Sequence, residues 1–165
     1  MTLIELTLAI MIGAVVAAIM LAMFNQQLAF LRIFNIQSFL NQEAPLVSMH
    51  VSRMIGQADR YRLHDSVEDA IAGRDQRLEE APVLLMNFRQ PDGSVRASML
   101  AMEERNGRRA LYYHLVPESG EVAEPEWFVT DQVADVRFSM EQGVLRMRLT
   151  GMNGEQITYS GTMQQ

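Results

Sequence analysis

The chain has 165 residues, the size of one domain with an appendage. Twenty acidic and 14 basic side chains leave a net charge of −6, so no electrostatic argument favours nucleic acid as a partner. There is no cysteine, which excludes disulfides, thiolate metal sites and cysteine nucleophiles. Every basic residue is arginine.

Residues 1–24 read MTLIELTLAIMIGAVVAAIMLAMF, with Glu5 their single ionisable side chain. A helix of that length is about 36 Å long, enough to cross a hydrocarbon core of about 30 Å. A secretory signal peptide would carry a basic residue ahead of a shorter apolar core and a small-residue cleavage site behind it. No Lys or Arg precedes this run, and helical polar sequence follows Phe24. A permanent N-terminal segment is the expectation.

From residue 25 to 61 the pattern stays helical but becomes one-sided. Leu28, Leu31, Phe34, Ile36, Leu40, Val47, Val51, Met54, Ile55, Ala58 and Tyr61 recur mostly at steps of three or four. Pro45 predicts a kink or short break near Gln42–Ala44. Gly56 weakens the helix without requiring its end, so one helix is expected from about Thr2 to about Tyr61.

Residues 62–82 are polar and read as a connection. It holds a short helix over Ser66–Ala72, capped by Ser66 with Asp69 three residues on and closed by Gly73. From Val83 to the end, residues 83–165, the period changes to two. Pro91-Asp92-Gly93, Asn106-Gly107, Gln142-Gly143 and Asn153-Gly154 punctuate six or seven strands of an antiparallel meander. The predicted class is α+β: a long helix, hydrophobic and then amphipathic, packed on an antiparallel sheet. Val51, Met54, Ile55 and Ala58 are expected to face Leu85, Met99, Leu111, Phe138 and Leu145.

Thr2-Leu3-Ile4-Glu5-Leu6 at the head of a membrane-grade helix, followed by a β-meander, resembles the type IV pilin superfamily. That group comprises type IV pilins, minor pilins and the pseudopilins of type II secretion. The likeness has motif strength over residues 1–24 and lies in architecture beyond them. Family members usually begin with phenylalanine where this chain has Met1, and many have proline where it has Ala22. The resemblance implies a leader removed just before Met1 and methylation of the new amine by a prepilin peptidase/methyltransferase. It implies residence in the inner membrane with a periplasmic or extracellular head, then assembly with copies of itself or other pilin-like subunits. The assembly residues it points to are Met1, Thr2, Leu3, Ile4 and Glu5.

A carboxylate in an apolar helix costs about 2.5–3.5 kcal/mol near a bilayer centre. Glu5 therefore reads as a partner charge for the amine of Met1, its own or a neighbour's. The small residues Ala9, Gly13, Ala14, Ala17 and Ala18 permit close approach of helices. Elsewhere signals are weak. His50, His64 and His114 have no acid at ligand spacing, and Asp65, Glu68 and Asp69 read as a solvated surface. Glu118, Glu121, Glu124 and Glu126 form an acidic loop without the ligand ladder of a calcium site. No catalytic residue, cofactor or metal is expected. The competing expectation is a non-polymerising, single-pass anchored binding or adaptor domain.

Overall fold

The computed structural model describes residues 2–77, 79–117 and 124–163, apart from the side chains of residues 162 and 163. Helix α1 (Leu3–Ser38) runs into a π-helical segment (Phe39–Glu43) and then helix α2 (Ala44–Ile55). Next come β1 (Arg60–His64), α3 (Val67–Ala72), β2 (Val83–Arg89), β3 (Val95–Arg105) and β4 (Arg108–Val116). The chain ends with β5 (Trp127–Thr130), β6 (Val133–Glu141), β7 (Val144–Gly151) and β8 (Gln156–Met163). The class is α+β, and the chain divides into two compact units at Ser38/Phe39.

Proline has no N–H, and its ring crowds the carbonyl four residues back. At Pro45 the helix responds by widening to π-type bonding over Phe39–Glu43, so that the proline falls in the first turn of α2. The disruption lies where the sequence puts it. The helical end does not. It stops at Ile55, where the bonds tighten as Gln57 N–H reaches Met54 O and Ala58 N–H reaches Ile55 O. Residues 60–64, expected as the last helical turn and the start of the connection, form β1 instead. Arg-Tyr-Arg-Leu-His alternates with period two, which buries Tyr61 and Leu63 while Arg60 and Arg62 stay exposed.

Among the described residues eight strands, all antiparallel to their neighbours, make two sheets ordered β1-β2-β3-β4-β5 and β6-β7-β8. Asn106 and Gly107 both take positive φ, 52° and 73°, as the two-residue hairpin turn requires. Ser66 Oγ accepts the Asp69 N–H at 3.1 Å, and Gly73 closes α3 at φ 64°. Both features of α3 match the expectation.

Register fixes which face each side chain takes. The row Leu63, Leu84, Leu100, Tyr113 shares one face with Met86 and Leu111, and this face packs with Val47, Val51 and Ile55 of α2. Val136, Phe138, Leu145, Met147 and Leu149 of the three-stranded sheet join the same core. The opposite face of the five-stranded sheet carries Val83, Leu85, Met99 and Ala101, covered by Val67 and Ala70 of α3. Leu85 and Met99 therefore face α3, not α2. The run Val83-Leu84-Leu85-Met86 is buried on both faces, so periodicity alone cannot assign its parity.

Candidate functional site

The candidate site is α1. None of its side chains is buried, and the helix it begins is long and apolar enough to cross a membrane. Leu3 and Ile4 are among its most exposed residues. Burial starts only at Phe39, so Leu28, Phe30, Leu31, Ile33 and Phe34 are exposed as well.

Its first turn is closed by a reciprocal pair. Thr2 N–H donates to Glu5 Oε2 at 2.8 Å, and Glu5 N–H donates to Thr2 Oγ1 at 3.4 Å. This is a capping box, in which a hydroxyl residue and a Glu three positions on satisfy each other's orphan donors. The Thr-x-x-Glu spacing that signals it is legible in the sequence, but the reading of Glu5 as a partner charge passes over it. Thr7, the other hydroxyl of the first two turns, donates to Ile4 O at 3.0 Å, which pairs its own hydroxyl within the helix.

Ala9, Gly13, Ala14, Ala17 and Ala18 are all exposed, and nothing lies within 4 Å of where a Cβ on Gly13 would stand. Met1 lies outside the described residues, as do Glu118 and Glu121 of the acidic loop. Glu124 and Glu126 are exposed, and the Glu126 N–H bonds to Tyr113 O at 3.0 Å.

The histidines are placed differently from one another. His50 is exposed, and buried His64 has Nδ1 2.8 Å from Arg74 O. His114 does have an acid beside it, contrary to expectation: the hairpin brings Glu103 Oε1 within 2.9 Å of its Nε2. Burial of Glu103 opposes ionisation, but hydrogen bonds from His114 and Arg105 outweigh it and hold this carboxyl below its ordinary value. Asp65 pairs with Arg77 at 2.6 Å and Asp69 belongs to the α3 cap, so neither is simply solvated; Glu68 is exposed. Among the described residues no three His, Asp or Glu side chains gather to hold a metal ion. No family model, curated protein or solved structure matches the chain.

Proposed function

We propose that the chain is a structural subunit, a pilin or pseudopilin, of a type IV pilus-like or type II secretion filament assembled through α1. One observation carries the reading: no side chain of Leu3–Ser38 is buried, whereas the residues from Phe39 onward close a core of their own. Such a helix needs its cover from outside the chain. Lipid of the inner membrane supplies it before assembly, and the helices of neighbouring subunits supply it afterwards. Ala9, Gly13, Ala14, Ala17 and Ala18 let those helices approach closely. The Glu5 carboxylate, held by Thr2, is the charge that meets the amine of Met1 in the next subunit. A prepilin peptidase/methyltransferase would prepare that amine, and the head would lie in the periplasm or outside the cell.

The test uses the full chain in its native cell, with filaments sheared off, imaged by electron microscopy and labelled with antibody to the head. The unaltered chain should appear in filaments with a methylated amine at Met1 by mass spectrometry. Glu5→Ala and Glu5→Lys should remain in the membrane with a folded head. Normal entry of Glu5→Ala into filaments would overturn the charge-pairing account. A chain found only in the membrane would instead favour the single-pass, non-polymerising anchor.

A further inference from the structure

Arginine is treated in two ways across the head. Every arginine on β4, β6 and β7 lies against a carboxylate: Arg108 on Asp131, Arg109 and Arg137 on Asp135, Arg146 on Glu141, Arg148 on Glu80. Arg53, Arg74 and Arg96 have no ion pair among the described residues, and neither do Arg60, Arg62 and Arg89, the set that lies together. These last three are exposed. They also share one face. Arg60 stands opposite Asn87 and Arg62 opposite Leu85, while Arg89 lies two residues beyond Asn87 and faces Val95. Arg60 and Arg89 are such diagonal neighbours, about 7–8 Å apart, so their like charges repel, while Arg62, opposite Leu85, stands four residues along the register from Arg89. Asp59, next to Arg60 in sequence, accepts the Arg89 backbone N–H through Oδ2 at 2.5 Å.

We propose that this arginine face of β1 and β2 is a docking surface for the glutamate-rich stretch 117–126 of a second copy of the chain. Charge complementarity selects the occupant. Residues 117–126 carry Glu118, Glu121, Glu124 and Glu126 with no arginine among them, whereas the acids of 62–82 are interleaved with arginines. A carboxylate seated between Arg60 and Arg89 would relieve their repulsion, a second carboxylate of the stretch would meet Arg62, and each would accept forked guanidinium hydrogen bonds. The choice of a second copy as the source rests on the filament reading, which brings identical heads together. Arginine on one copy and glutamate on the next make a head-to-tail contact, the kind that propagates along a helical array.

The chain contains no lysine, so Arg62→Lys introduces the only side-chain amine and keeps the charge. Full-length Arg62→Lys protein is mixed in detergent micelles from ¹⁴N and ¹⁵N preparations and treated with a water-soluble carbodiimide. The reagent activates a carboxylate, the touching amine attacks it, an amide forms and the carboxylate oxygen leaves on the urea. Digestion should yield a mixed-isotope peptide joining position 62 to Glu118, Glu121, Glu124 or Glu126. The same treatment of Arg53→Lys, away from the patch, should yield none. The link should vanish at about 1 M salt, where the screening length falls to about 3 Å. Links confined to one copy, links to other carboxylates, or no link at all overturn the proposal. If these appear while the unaltered chain enters filaments, the filament reading stands alone. Mixed links in a chain that never enters filaments would support the docking surface and overturn that reading.

Discussion

His114 Nε2 lies 2.9 Å from Glu103 Oε1, and the histidine side chain is wholly buried. The other carboxylate oxygen of Glu103 accepts the Arg105 Nε–H at 2.7 Å. In register His114 stands opposite Met99 and Glu103 opposite Ala110, so this contact runs diagonally across the β3–β4 hairpin. It ties the two strands together on the face turned away from α2.

That arrangement predicts a pH dependence. A carboxyl whose folded pKa is depressed stabilises the fold above its unfolded pKa, and the contribution is lost as pH falls through the folded value. The head should therefore lose stability as pH falls through and below the ordinary carboxylate range, part of it owed to Glu103. Glu103→Gln should cost about 1–3 kcal/mol at pH 7 and flatten that acid limb. Urea titrations of the full chain in micelles, followed by Trp127 fluorescence from pH 7 to pH 3, would check it. An unchanged acid limb in the variant would remove Glu103 from the explanation.

Two phenylalanines separate head stability from helix cover. Phe138 is fully buried in the core shared by both sheets and α2, and Phe138→Ala should destabilise the head by about 3–5 kcal/mol. Phe34 is 59% exposed, so Phe34→Ala should leave the urea midpoint within about 0.5 kcal/mol of the unaltered protein. Its effect belongs in filament yield. A large loss of head stability from Phe34→Ala would contradict the absence of burial along α1.

Ser66→Ala removes the side-chain acceptor for the Asp69 N–H and should cost about 0.5–2 kcal/mol. Because α3 covers Val83, Leu85, Met99 and Ala101, the loss should appear as faster amide exchange in β2 and β3, not in α3 alone. Exchange accelerated only within Val67–Ala72 would show that the sheet does not depend on this helix.

A fragment beginning at Asn35 retains every side chain buried among the described residues and should be a monomer with a cooperative melt. The sequence pattern predicts a soluble, folded monomer for a fragment beginning at Gln26, but Leu28, Phe30, Leu31, Ile33 and Phe34 stay exposed in it, so it should instead self-associate. Sedimentation of the two fragments tests this directly. An aggregated Asn35 fragment would mean that the head needs neighbouring subunits to complete its core.

Local chemistry alone determined much of this protein. The membrane-grade run ending near Phe24, the disturbance ahead of Pro45, the Ser66 and Gly73 caps and the Asn106-Gly107 turn depend on residues close in sequence. They are legible because propensity, capping and turn geometry are short-range. The Thr2–Glu5 box belongs with them, its spacing being plain in the chain. Tertiary structure decided the rest. Residues 60–64 fit a helical step as well as a strand, and pairing with β2 settled the matter. Leu85 and Met99 took the α3 face because a strand buried on both sides carries no alternation to reveal its parity. Glu103 found His114 only through hairpin register, and the division of the strands into five and three follows from packing around α2. Arg60 and Arg62 share a face by the strand period of two, and Arg89, far from them in sequence, joins that face for the same reason: cross-strand register brings together residues that no sequence period relates.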